Sequence, residues 1–158
     1  MKKENWNESN IPDQSGKIFI VTGPTSGLGK ESIKVLVRKN ATIIMAARNI
    51  KKSNSIKKEI LAENKNAKID IQELDLSSLE SVNNFSISIN KKYKALDCLI
   101  NNAGIMACPY SKTKDGFEIQ YESFGSLCFN RSVNFSSKKD TKLTSGECLQ
   151  HCPHLRKY

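Results

Sequence analysis

TGPTSGLG, residues 22–29, follows directly on the apolar run Ile18 to Val21 and opens a segment with helical periodicity. A buried strand that ends in a glycine turn and feeds a helix aims that helix's free N–H groups and positive dipole end at a pyrophosphate. Gly23 is expected to make the tight turn, since glycine enters φ > 0 without steric cost. Gly27 would let phosphates approach the backbone, and Gly29 would let the helix lie close on the strand. Thr25, Ser26 and Leu28, between them, complete the expected contacts of the turn. The spacing is G-x-x-x-G-x-G, and a plain turn before a helix would show the same glycines. A nucleotide-triphosphate loop is excluded, because Gly29-Lys30 is followed by Glu31 where a magnesium-binding Ser or Thr is required.

A second mark lies far downstream. NNAG, residues 101–104, follows Leu99 and Ile100, so a second strand also ends in a tight turn. Two such turns at strand ends point to a protein built around a dinucleotide.

The 158 residues, 38% of them hydrophobic, are enough for one domain with a real core. No apolar run approaches membrane-spanning length, and Met1 to Gln14 is polar, unlike a signal peptide or an anchor. A cytoplasmic protein is expected. Its five cysteines are scattered and odd in number, which fits reduced thiols. The N-x-S sequons at Asn7, Asn84, Asn130 and Asn134 are then chance matches. A net charge of +9 could serve nucleic acid, a membrane surface or a phosphate-bearing ligand. Lys51, Lys52, Lys57, Lys58, Lys91 and Lys92 fall on what read as outer helix faces, with no interleaved aromatics, so solvated faces are expected and nucleic acid is not.

Strand and helix patterns alternate along the chain. Strands are expected at Lys17 to Thr22, Ala41 to Ala46, Lys68 to Leu74 and Ala95 to Ile100. Helices are expected at Leu28 to Lys39 (Ile33, Leu36 and Val37 inward), Ser53 to Asn64 (Ile56, Ile60 and Leu61 inward) and Ser78 to Tyr93 (Leu79, Val82, Phe85 and Ile89 inward). This βαβαβαβ series predicts an α/β fold, the N-terminal half of a Rossmann-type doubly wound parallel sheet of about four strands. The expected divisions are a polar segment 1–14, a partial dinucleotide-binding unit 15–120 and an irregular tail 121–158.

The residues resemble the short-chain dehydrogenases/reductases. TGPTSGLG is similar to that family's glycine turn, Asp75-Leu76-Ser77 to its adenine contact, and NNAG to its fourth-strand signature. Ile11-Pro12-Asp13, Ser15-Gly16-Lys17, Leu74 to Ser77 and above all NNAGIMACPYSKTKDGFE, residues 101–118, are similar to the retinol dehydrogenase and WW-domain oxidoreductase subgroup. The resemblance runs from about residue 11 to about residue 120. It implies transfer of hydride between an alcohol and a carbonyl of a small lipophilic, retinoid-like substrate. Asp75 is then expected to accept from the adenine amino group while Leu76 covers the ring. Asn102, Ala103 and Gly104 would turn beside the ribose, where a larger side chain than alanine would collide with the cofactor. Ala46-Ala47-Arg48 ends the second strand without the carboxylate that would bind NAD ribose hydroxyls, and Arg48 can grip a 2′-phosphate bidentately. NADP is therefore preferred over NAD.

The family's chemistry also needs a tyrosine with a lysine four residues on, and a serine. Tyr110 and Lys114 have that spacing, but they follow NNAG immediately, whereas the family's pair lies far downstream on a long helix. They are rejected. Tyr93, Tyr121 and Tyr158 have no such lysine, so no catalytic residue is assigned. Tyr121 to Tyr158 is rich in Ser, Lys and Asn, has isolated apolar residues and lacks the family's N-H-x-G element; Ser136-Ser137 have no strand in front of them. The tail is expected to be foreign to the fold, as in a truncated, frame-shifted or alternative product, which comparison of transcript with genome would test. Leu96, Cys98, Leu99 and Ile100 would then border an open sheet edge, leaving a marginal half fold that aggregates or takes a protein partner. Two further readings stand beside this one: a non-catalytic dinucleotide-binding or interaction protein, and zinc held by Cys148, His151, Cys152 and His154. The spacing of those four ligands matches no usual zinc motif.

Overall fold

The computed structural model describes residues 7–119. Four parallel strands, β1 (Ile18–Thr22), β2 (Thr42–Ala47), β3 (Lys68–Glu73) and β4 (Cys98–Ile100), form a sheet in the order β3-β2-β1-β4. Helices α1 (Gly27–Arg38), α2 (Ile50–Glu63) and α3 (Leu79–Lys92) connect them in turn. The registers Ile20 with Ile44 and Ile20 with Leu99 put β1 between β2 and β4. This is the Rossmann-like arrangement expected from the sequence.

Strand alternation sorts the core into two layers. Phe19, Val21, Ile43 and Met45 face one side, where Ile33 and Val37 of α1 and Ile60 of α2 close on them. Ile20, Ile44 and Ala46 face the other side, against Val82, Phe85 and Ile89 of α3. β1 and β2 are thus buried on both faces, as an unbroken apolar run in a parallel sheet requires.

Several expectations need correction. The second helix begins at Ile50, three residues before the expected Ser53, because the Asn49 side chain accepts the Lys52 N–H at 2.9 Å and caps it there. Leu61 is only half-buried and belongs to neither core layer. Leu79 is 39% exposed rather than docked. It occupies the first position of α3, and Ser86 takes the buried place one helical face requires, donating to the Val82 carbonyl at 2.8 Å. Leu96 is buried in the α3 layer, while Cys98, Leu99 and Ile100 are half-buried.

The polar segment before β1 is tied to α1. A short 3-10 helix, Glu8–Asn10, presents the Glu8 carboxylate to Arg38 through two bonds of 2.8 Å, and the Gln14 N–H donates to the Lys39 carbonyl at 2.7 Å. Across the sheet, the Asp97 carboxylate accepts the Ile18 N–H at 2.8 Å, which sets β4 beside β1. No helix among the described residues is long and apolar enough to cross a membrane. The expectations placed on Tyr121, Tyr158, Ser136-Ser137 and the Cys148 to His154 cluster lie outside the described residues.

Candidate functional site

After β3 the chain crosses to the other side of β1, so β2 and β3 lie on one side of β1 and β4 on the other. In open parallel sheets such a reversal leaves a crevice beyond the carboxyl ends of the strands, where ligands bind. Here that crevice is a cleft of about 600 Å³. Every residue expected to hold the dinucleotide lines it except Gly27 and Gly29: Gly23, Thr25, Ser26 and Leu28 from the first turn, Arg48 after β2, Asp75 and Leu76 after β3, and Asn102, Ala103 and Gly104 after β4.

Thr22 joins the two turns. Its Oγ1 accepts the N–H groups of Asn102 and Ala103, both at 3.0 Å, and the Asn102 amide donates to the Thr22 and Gly23 carbonyls, also at 3.0 Å. Thr22 is buried, so these bonds form where unmade ones would be costly. Both halves of the cleft are therefore fixed to one another across 80 residues of sequence.

The glycines have separate reasons. Gly23 has φ +61°, and a Cβ there would lie 2.9 Å from the Ala103 Cα, so the two turns touch backbone to backbone. Gly27 has φ +53° and open space where a Cβ would point. Gly29 packs behind the cleft: a Cβ would lie 2.5 Å from the Gly23 carbonyl oxygen and would collide with the Asn102 amide. Ser26 occupies the N-cap of α1 without a side-chain hydrogen bond to the helix, so its hydroxyl does not take up the first-turn N–H groups.

At the β2 end the exposed Arg48 is joined by Lys52 in the first turn of α2. Neither makes an ion pair among the described residues. Lys52 reads in the sequence as part of a solvated lysine-rich face; with α2 beginning at Ile50 behind the Asn49 cap, this side chain lines the cleft. At the β3 end Asp75 accepts the Ser77 N–H at 3.0 Å and the Ser77 hydroxyl at 2.7 Å, both through Oδ1. Ile105 and Ile119 add apolar walls from the segment after β4. The sequence carried no signal for these two, which reach the cleft only through loop geometry.

The described tyrosines are elsewhere. Tyr93 donates its hydroxyl to Asp70 at 2.8 Å; burial and this carboxylate both push its pKa up, the reverse of what a phenolate base needs. Tyr110 is 73% exposed on the segment after β4. No group of three or more His, Cys, Asp or Glu among the described residues could hold a metal.

The sequence pattern of the short chain dehydrogenases matches residues 17–131. The chain belongs to the short-chain dehydrogenase family. The match ends eleven residues beyond the point, about residue 120, where the resemblance had been expected to stop. Among curated relatives, mouse retinol dehydrogenase 12 is 42% identical over 106 residues, 67% of this chain and 34% of that protein. Human retinol dehydrogenase 13 is likewise 42% identical over 106 residues, 67% of this chain and 32% of that protein. This short-chain dehydrogenase chain thus spans about a third of the length of these relatives. Of solved structures, an uncharacterized protein from Mycobacterium paratuberculosis matches with TM-score 0.71 and 34% identity, over 82% of this chain and 46% of that one. A metagenomic short-chain oxidoreductase solved in complex with NADP shares the fold, with TM-score 0.63 and 20% identity over 77% of this chain and 56% of that one.

Proposed function

We infer that the cleft binds NADP(H), and that the chain contributes it to an oxidoreductase exchanging hydride between an alcohol and a carbonyl of a small lipophilic substrate. One observation carries the cofactor assignment: the β2 end of the cleft presents Arg48 and Lys52 and no carboxylate. An acidic residue there would favour unphosphorylated ribose, whereas two cations favour a 2′-phosphate. The proximity of the α2 N-terminus adds a further positive partial charge.

The residues fit such a ligand. The volume lies within the range of about 300–1,000 Å³ typical of small-molecule sites. Gly27 would admit the pyrophosphate at the start of α1, since nothing occupies the position of its missing Cβ. Asp75 has Oδ2 to offer the adenine amino group while Oδ1 holds Ser77, and Leu76 would cover the ring. Asn102, Ala103 and Gly104 would support the ribose, with their turn fixed by Thr22. When bound, the nicotinamide accepts or gives the hydride.

The substrate assignment rests on the retinol dehydrogenase relatives and is a retinoid-like alcohol or aldehyde. A cytoplasmic location goes with this proposal. The test is a thermal-shift series on the purified chain with NADPH and NADH, followed by NADPH oxidation with a panel of lipophilic aldehydes. A rise in melting temperature with NADPH, together with turnover, supports the full reading. Stabilisation without turnover supports a second reading, a non-catalytic dinucleotide-binding protein. No stabilisation by either cofactor refutes both.

A further inference from the structure

Residues 111–119 form a small antiparallel ring beside the cleft. The Ile119 N–H donates to the Ser111 carbonyl at 3.0 Å, the Thr113 N–H to the Phe117 carbonyl at 2.9 Å, and the backbones of Lys112 and Glu118 pair as an antiparallel bridge. Gly116, with φ +88°, turns the tip. At that tip Asp115 reaches out of the ring, and its Oδ2 accepts the Leu79 N–H at 2.8 Å. Leu79 is the first residue of α3, whose own cap, Ser78, accepts the Ser81 N–H instead. One carboxylate from 36 residues downstream thus satisfies a helix-end donor that the local cap leaves open. Ile119, at the foot of the ring, lines the cleft, as do Leu76 and Ser77.

We propose that Asp115 is a positioning residue for the cleft, latching the 111–119 ring to the start of α3 so that Ile119 is held in its place in the cleft wall. The tip and the wall belong to one hydrogen-bonded ring, so a carboxylate fixed at α3 limits where Ile119 can move. The negative charge at the positive end of α3 strengthens the latch. The binding part of this inference rests on the dinucleotide reading of the cleft; the latch itself does not.

The experiment separates the two. Amide hydrogen exchange over residues 111–119 is measured without ligand, and affinity for adenosine 2′,5′-bisphosphate is measured beside it, on the full chain and on Asp115→Ala, Asp115→Asn and Ser78→Ala. Asp115→Ala is expected to speed exchange in the ring and to weaken the bisphosphate by about fivefold, the scale of one lost cap. Asp115→Asn keeps an accepting oxygen and should restore most of the affinity. Ser78→Ala removes the other cap of the same helix and should lower the melting temperature while leaving affinity within about twofold. If Asp115→Ala does not fold, Asp115→Glu, which displaces the carboxylate by one methylene, replaces it with the same expected signs. Unchanged exchange in Asp115→Ala, or in Asp115→Glu where that replaces it, refutes the latch. Equal affinity losses in Asp115→Ala and Ser78→Ala refute a positioning role and leave Asp115 as a structural cap. Faster exchange in a protein whose wild type does not take up the bisphosphate refutes the dinucleotide reading, and the positioning role with it.

Discussion

Gly29→Ala tests how the cleft is held together, because two effects of opposite sign meet at this position. Gly29 lies within the first turn of α1, and alanine in a helix is favoured over glycine by up to about 1 kcal/mol. Considered by propensity alone, the substitution stabilises. The added Cβ, however, would lie 2.5 Å from the Gly23 carbonyl oxygen and against the Asn102 amide. The carbonyl is backbone of the β1–α1 turn, and it accepts the Asn102 amide at 3.0 Å, so neither neighbour can retreat without loosening the join between the two turns. Overpacking of this kind costs about 1–3 kcal/mol. With contacts this short the cost falls at the upper end of that range, so the net expectation is a loss of about 1–2 kcal/mol, or roughly 3–6 °C in melting temperature for a chain of this size. Urea denaturation followed by circular dichroism measures it. An unchanged slope with a lower midpoint would show a loss of stability without a change in the surface exposed on unfolding. A midpoint equal to or above wild type would refute the close approach of α1 to the NNAG turn.

Asn102→Ala removes both amide bonds to Thr22 and Gly23 and should cost about 1–3 kcal/mol in a urea titration, together with weaker cofactor binding. Asp70 tests the outer edge of the sheet. Burial pushes its carboxyl pKa up, but bonds from Lys92, Gln72 and Tyr93 outweigh that and hold it below the ordinary value. With the folded pKa depressed, its contribution is fully present above the unfolded value of about 3.9 and is lost as pH falls through the lower folded value. Wild type should therefore exceed Asp70→Asn in stability at neutral pH, with the difference closing below about pH 4; a difference independent of pH would contradict the network. Gly23→Ala should be more harmful than Gly29→Ala, since φ +61° adds strain of about 1–2 kcal/mol to the contact with Ala103, as a lower urea midpoint would report.

How much was legible in the sequence follows from where each signal resides. The β1 and β2 strands and both glycine turns could be read because buried parallel strands are continuous apolar runs and the turns need particular small residues. Val82, Phe85 and Ile89 kept helical spacing and docked as expected, whereas Leu79, at the open end of α3, did not. The start of α2 was misplaced because Ile50-Lys51-Lys52 has no apolar periodicity, and the capping bond of Asn49 that begins the helix is a single contact. The same error hid Lys52, whose place in the cleft depends on where that helix begins. Ile105, Ile119 and the Asp115 latch come from a segment whose path is set by tertiary bonds, to which neither period nor propensity is sensitive.

Under the function proposed above, the cleft recognises a 2′-phosphorylated dinucleotide through Arg48 and Lys52. Its most direct test is fluorescence titration of the purified chain with NADPH and with NADH, repeated on Arg48→Glu and Lys52→Glu. Saturable binding is expected, with NADPH the tighter ligand and a preference that drops by at least about tenfold in Arg48→Glu, the scale of one charge-assisted bidentate contact. Absence of saturable binding, or an NADPH-to-NADH ratio that both charge reversals leave unchanged, would contradict it.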